Sequence, residues 1–470
     1  MKRSLALVAA LALSGCAVGP NYVSPAPRQP GQTGFAGAAS PAFVPAEPPA
    51  DWWRLYNAPI LDRLVAEALA ANTDLRVAAA NLRQARAVLR ETRSARLPAA
   101  TIGASAGYGR TAGSTLGLAG KGPEGDSYDA SLDIGYQLDL FGRIRRAVEA
   151  SRADVEAVQA AYDLARVTVV AETIRAYADA CSAGGQLAVA EQSLRVQEET
   201  FDLTRRLELG GRGTGLDTSR AAALLEQTRA DLPTFEAARR AALFRLSVLT
   251  GKPPADFPAE VAACRTPPAV ATPIPVGNGA TLLARRADVR AAERRLAAAT
   301  ARIGVATADL YPSVSIGGSV GSASGSPGGL LSGDGFHFSL GPLLSWTFPN
   351  TSAARARIAQ AEASAEAALA AFDGAWLVAL RDTETALSDY AALGRRVETL
   401  RRARDQSAEA ARIARLRYRA GAESFQIVLD AERGLAQSEA LLAAARAQFS
   451  DSTVTLFLAL GGGWQQSAAR

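Results

Sequence analysis

Side chains able to do covalent chemistry are scarce in this 470-residue chain. It has one histidine, His337, and three cysteines, Cys16, Cys181 and Cys264. That excludes a His-cluster metal site. A Ser-His-Asp triad would have to use the one ring, and three cysteines alone make no zinc site. The chain is therefore read as no enzyme, with no cofactor and no metal. The best-placed nucleophile is Cys16, which directly follows the small-residue stretch Leu13-Ser14-Gly15. Charge points to no nucleic-acid partner. The net charge is +5, lysine occurs only three times, and the arginines are spread among nearly as many acids.

Residues upstream of Cys16 read as an address. Lys2 and Arg3 form a positive region, and residues 4–12 are apolar but too short to span a bilayer. With Leu13-Ser14-Gly15-Cys16 the order resembles the lipobox of bacterial lipoproteins, which implies lipidation of Cys16. Ala17 follows where an Asp would suggest inner-membrane retention, so the resemblance favours the outer membrane. Residues 1–15 are assigned to the signal peptide, and the Pro-, Gly- and Ala-rich residues 16–50 to an extended tether.

The body is one unit written twice. Arg76-Val77-Ala78-Ala79-Ala80-Asn81-Leu82 returns as Arg290-Ala291-Ala292-Glu293-Arg294-Arg295-Leu296, and each copy runs on to a proline, Pro98 or Pro312. Strand-like segments follow. Leu140-Phe141-Gly142-Arg143 and Thr347-Phe348-Pro349-Asn350 then open helical stretches that end at Gly210-Gly211 and Ala420-Gly421. A last helix closes each copy. The repeats are bounded at 51–250 and 279–460, with a Pro-rich linker at 251–278 and a tail at 461–470.

The long stretches, of about 70 residues each, would reach roughly 100 Å as helix. No globular core is that wide, so they must pack side by side, with alanine allowing close approach. Gly184-Gly185 is a candidate bend in the first one. No uninterrupted run of 18 apolar residues follows the leader, which argues against a spanning helix.

Four segments instead show period two. They lie at about 99–112, 127–139, 312–322 and 336–348. Tyr128, Ala130, Leu132, Ile134, Tyr136 and Leu138 alternate with Asp129, Ser131, Asp133, Gly135, Gln137 and Asp139. Each has the length that crosses an outer membrane when tilted, with aromatics toward the ends. Four strands close no barrel, and open edges are not tolerated in lipid. The chain must lend its strands to an oligomer. Two copies give a barrel filled by its own side chains, and three give twelve strands and an aqueous lumen. The polar faces then line the passage, with Asp129, Asp133 and Asp139 facing it and His337 solvated.

Several motifs resemble the TolC/OprM-type outer membrane efflux proteins, NodT subgroup. They are Asp51-Trp52-Trp53, Asn72-Thr73-Asp74-Leu75-Arg76, Leu138-Asp139-Leu140-Phe141-Gly142, Arg285-Arg286-Ala287-Asp288-Val289-Arg290, Tyr418-Arg419-Ala420-Gly421 and Ala459-Leu460-Gly461-Gly462-Gly463-Trp464. The likeness covers essentially the whole mature chain in order. Ala287 departs from it, since related proteins usually carry proline there. The resemblance implies a mixed α and β membrane protein. A homotrimer would form a twelve-stranded outer-membrane barrel, a periplasmic α-helical barrel and an equatorial domain that holds the linker and the Trp52-Trp53 pair. It further implies a duct for small molecules such as drugs. A periplasmic adaptor would dock at the helical tips, and an inner-membrane pump, of the proton-driven RND type, would supply energy.

The resemblance also carries site residues. A periplasmic gate falls on Asp430 and Arg433, with Arg417 and Glu208 just before the tips; Arg433 would neutralise Asp430 or bridge to a neighbouring chain. The adaptor tips fall on Gly211, Thr214, Gly215 and Leu216, and on Gly421, Ser424 and Phe425. Glycine allows the tight turn, Thr214 and Ser424 cap the next helix, and Leu216 or Phe425 offers an exposed anchor. Cys181 and Cys264 are a candidate disulfide, because the periplasm is oxidising and the family places the linker near the middle of the first long helix. Two rival readings are a coiled-coil lipoprotein tether and a type I protein-secretion duct.

Overall fold

A computed structural model describes residues 17–25, 34–110, 119–122, 124–277 and 285–462. It contains two compact units. The first takes residues 1–25, 82–158 and 291–373, and the second takes 26–81, 159–290 and 374–470. Cys16 and Trp464 lie outside the described residues.

The first unit holds the sheet. Its strands are β1 (Ala99–Arg110), β2 (Glu124–Leu138), β3 (Ser313–Ser324) and β4 (Phe336–Ser345), antiparallel in the order β1-β2-β3-β4. The central β2–β3 pair joins the two sequence repeats. Register sorts the residue types onto two faces. One row across all four strands is Ile102, Leu132, Val320 and Phe338; the next, on the other face, is Thr101, Asp133, Ser319 and Ser339. On the polar face the Ser319 and Ser339 hydroxyls share a hydrogen bond of 2.8 Å, and Ser131 donates to Asp133 at 3.0 Å. His337 is exposed in a row with Gly103, Ser131 and Gly321, in keeping with a solvated ring.

Strand ends differ from expectation by a few residues. β2 starts earlier because pairing continues to Arg110↔Glu124, where the two side chains form an ion pair. β4 stops at Ser345 instead of running to Phe348. Trp346 turns its indole N–H onto Leu310 O at 3.1 Å and stacks on Phe348, and Pro349 has no amide to offer a ladder. Asp139 lies just past the end of β2 and not within the strand. Its two oxygens accept the amides of Ile144 and Arg145, both at 2.8 Å, and so cap the helix that follows.

Four long helices follow the repeat. They are α3 (Arg143–Leu209), α4 (Gly215–Leu249), α6 (Ser352–Arg419) and α7 (Phe425–Ala459). The short helices α1 (Pro59–Ala71) and α2 (Thr73–Ser94) open the first copy, and α5 (Ala287–Ala308) opens the second. Helices α4 and α7 both have 35 residues. Pro233 sits inside α4 without ending it. One 18-residue window of α6 is apolar enough, by length and composition, to cross a membrane.

The core of the second unit gathers Trp52, Leu61, Leu64, Ile174, Leu246 and Phe457, all fully buried. Trp52 stacks on Phe457 at 4.5 Å, and a Cβ at Gly462 would meet the Trp52 ring at 2.9 Å. The tether residues Phe43 and Val44 pair in parallel with Ile274 and Pro275 of the linker. The Asn72 carboxamide caps α2 by accepting the amides of Asp74 and Leu75, and it donates to Leu249 O at 3.2 Å. Arg285 binds Glu47 at 2.8 Å and Pro48 O at 2.6 Å, while Arg286 binds Asp288 at 2.6 Å. The arginine motif at 285–290 is therefore a structural clasp.

Helix α3 runs unbroken through Gly184 and Gly185. The pair does not interrupt the helix; it admits the linker. A Cβ at Gly184 would lie 2.2 Å from Cys264 O, and one at Gly185 would lie 2.4 Å from Arg265 O. Beside them Cys181 and Cys264 are joined by a disulfide, with Cα atoms 4.7 Å apart.

Candidate gate and docking tips

The two hairpin turns are built alike. In the first, Gly211 has φ +70°, its amide bonds Glu208 O at 2.9 Å, and the Arg212 amide bonds Leu207 O at 2.8 Å. In the second, Gly421 has φ +72°, its amide bonds Tyr418 O at 2.9 Å, and the Ala422 amide bonds Arg417 O at 2.9 Å. Each helix thus ends on a left-handed glycine that satisfies its last carbonyls. The next helices start differently. Thr214 Oγ1 accepts the Asp217 amide at 3.2 Å, whereas Ser424 makes no side-chain cap bond, contrary to expectation.

The tips also differ in what they expose. Leu216 is 58% exposed and Phe425 only 3%. Phe425 packs with Leu224, Val428 and Leu429, and its ring lies 5.6 Å from Tyr418. It is part of the core that joins the hairpins, so of the two expected anchors only Leu216 is accessible.

The four expected gate charges are not joined to one another by any hydrogen bond or ion pair among the described residues. Asp430 is exposed and accepts from Gln426 Nε2 with both oxygens, at 3.0 and 3.2 Å. Within the chain Arg433 does not neutralise it; Arg433 is exposed as well. Arg417 pairs with Glu423 at 3.7 Å, and Glu208 is exposed beside Gly215.

A buried charge sits where none was expected. Glu432 is 4% exposed, accepts from Arg415 at 2.7 Å, and receives Gln197 Nε2 at 3.3 Å. It ties α7 to both α6 and α3. Burial lifts its carboxyl above the ordinary range, against Arg415 and Gln197, which hold it down. The sequence did carry a signal: Phe425, Val428, Leu429 and Glu432 fall on one helical stripe.

Upstream of the sheet, the residues after Cys16 are strapped onto the first unit. Arg146, itself buried, donates to Val18 O at 3.1 Å, Gly19 O at 3.2 Å and Asn21 Oδ1 at 2.8 Å. Gly142 has φ +76°, and a Cβ there would meet Ala17 at 2.6 Å, which explains the glycine of the Leu-Phe-Gly turn.

An antiparallel sheet apolar on one face and polar on the other, in a chain with two long helical hairpins, defines a subunit of a membrane duct. The outer membrane efflux protein family matches residues 64–252 and 279–462, and the chain belongs to that family. It is 33% identical to the outer membrane protein OprJ of Pseudomonas aeruginosa over 98% of this chain and 96% of that protein. It is 30% identical to nodulation protein T of Rhizobium leguminosarum bv. trifolii over 97% of each. Among solved structures, the outer-membrane channel OprN matches with a TM-score of 0.89 and 37% identity over 96% of this chain and all of that one. The open-state MtrE channel of Neisseria gonorrhoeae matches at 0.83 and 28%, over 97% of this chain and all of that one. The protein is an efflux channel of the bacterial outer membrane that extends into the periplasm.

Proposed function

We propose that three copies close a twelve-stranded barrel and act as the exit duct of a tripartite pump for small molecules such as drugs. The observation that carries this is the pair of open edges, β1 and β4, on a sheet whose apolar face is exposed. Unpaired backbone groups in lipid cost several kcal/mol each, so the edges must pair with other copies. Three copies give a lumen wide enough for water, lined by the row of Thr101, Asp133, Ser319 and Ser339. A periplasmic adaptor docks on the tips through Gly211, Thr214, Gly215 and Leu216 and through Gly421 and Ser424. An inner-membrane pump of the proton-driven RND type supplies the energy. Asp430 and Arg433, with Arg417 and Glu208 near the tips, form the gate, with partners on neighbouring chains. Cys16 carries the lipid.

The test is outer-membrane extraction followed by electrophoresis with and without heating, and conductance in planar bilayers. A heat-modifiable trimer that conducts ions is expected, together with sensitivity of a deletion strain to detergents and dyes. A monomer that never conducts would leave only the tether reading.

A further inference from the structure

We infer that the helix-side end of the sheet carries an arginine collar that binds the phosphates of anionic phospholipid in the inner leaflet of the outer membrane. The inference rests on the outer-membrane placement. The apolar face of the sheet marks the hydrocarbon, with Ile102, Phe338 and Leu340 strongly exposed. At the helix-side strand ends it gives way to aromatic pairs. Phe141 stacks on Tyr311 at 4.6 Å, and Trp346 stacks on Phe348 at 4.9 Å. Aromatic residues of this kind sit at the headgroup boundary of membrane barrels.

Charge changes at that boundary. Residues 91–99, 139–146, 308–313 and 345–357 hold seven arginines, no lysine and three carboxylates; one of the seven, Arg146, is buried and paired with Glu149, which leaves six for the collar. Asp139 is used up by the amides of Ile144 and Arg145. Asp309 is shared by Arg143 and Arg357, each at 3.2 Å. Glu91 lies a turn back on α2. Arg93, Arg96, Arg145 and Arg355 are exposed, and no ion pair involves them among the described residues. At the opposite end, Arg110, which pairs with Glu124, and Lys121 are outnumbered by Glu124, Asp126 and Asp334, so the excess belongs to one end only.

At the start of α6 the placement also opposes ordinary helix electrostatics, whereas Arg93 at the end of α2 sits where the macrodipole favours a cation. Neither α3 nor α6 has an acid in its first turn. At α3 that anion is Asp139 from within the chain; at α6 no carboxylate plays this part, Arg355 is repelled by the macrodipole, and an anion outside the chain is its natural complement. Arginine suits a phosphodiester, because its planar fork donates two parallel hydrogen bonds. A net negative lipid, of the phosphatidylglycerol type, fits better than a zwitterionic one, since the collar has a cationic surplus.

Trp346 reports on the site. The full-length protein is placed in phosphatidylcholine vesicles with a minor fraction of acyl-brominated phosphatidylglycerol or acyl-brominated phosphatidylcholine. Quenching is measured against a Trp346→Phe background. Phosphatidylglycerol is expected to associate about fivefold more strongly, equivalent to about 1 kcal/mol. The preference should fall to unity in Arg143→Gln/Arg145→Gln/Arg355→Gln/Arg357→Gln and shrink in high salt. Equal quenching by both lipids in the native protein overturns the collar while leaving the channel in the membrane. No quenching by either lipid means instead that membrane placement has failed. If the fourfold variant does not give the heat-modifiable oligomer, Arg145→Gln/Arg355→Gln is used. An unchanged preference in that pair also overturns the collar.

Discussion

Arg415 and Glu432 meet at 2.7 Å with the carboxylate almost fully buried, although they lie 17 residues apart on either side of the second tip. This pair, with Gln197 added from α3, is the one buried ionic link near the tips among the described residues. It yields a pH dependence whose sign is fixed. An acid with a raised folded pKa binds more protons folded than unfolded between its two values. Its stabilising contribution is complete below the ordinary value of 4.5 and declines as pH rises to the folded value. Hydrogen-exchange protection of residues 425–436, corrected for intrinsic rates, should therefore drop as pH rises above 4.5. Glu432→Gln should flatten the drop, leaving the slope of Glu439, which burial shifts in the same direction. An undiminished slope would place the effect elsewhere.

The disulfide closes a separation of 83 residues and fastens the linker to α3. Cys264→Ser should cost about 4 kcal/mol by the loop-closure argument, read as a lower thermal midpoint. Thiol counting on denatured, unreduced and acylated protein should find no reactive thiol. Two per chain would refute the bond.

Gly185 tests whether the linker really lies on α3. Glycine to alanine inside a helix ordinarily stabilises by about 1 kcal/mol. At Gly185 the new Cβ would lie 2.4 Å from Arg265 O, so Gly185→Ala should destabilise. Gly374 in α6 has open space around it, and Gly374→Ala should be neutral or stabilising. Equal midpoint shifts in the two variants would contradict the close approach.

Charge removal should loosen the proposed gate. Asp430→Ala with Arg433→Ala is expected to raise single-channel conductance severalfold in planar bilayers. Conductance at the wild-type level would return both charges to a solvated surface, where Gln426 already satisfies Asp430.

Cys16→Ser should abolish labelling by a palmitate analogue while leaving barrel insertion largely intact, because the strands carry their own membrane affinity. Persistent labelling would mean acylation at another residue.

How much of this was legible in the sequence follows from the range of the forces involved. Period two in 128–138 and the unbroken helical stretches are local patterns, and they set the sheet and the hairpins before any contact is known. The duplication told the same story twice, and the tips at Gly211 and Gly421 confirm it with matching φ and hydrogen bonds. The strand ends were less certain, since Arg110↔Glu124 pairing and the turn at Trp346 depend on partners far along the chain. Asp139 reads as one more polar residue in an alternating strand until the start of α3 is placed over it. Phe425 and Leu216 are both apolar residues at helix starts. Only packing between the hairpins decides that one is core and the other surface. Gly184-Gly185 looks like a weak point in a helix, because sequence does not show the linker backbone that needs the missing side chains. Glu432 sits on an apolar stripe beside two charges of ordinary appearance. Its partner Gln197 lies 235 residues away, and only the tertiary structure brings the two together.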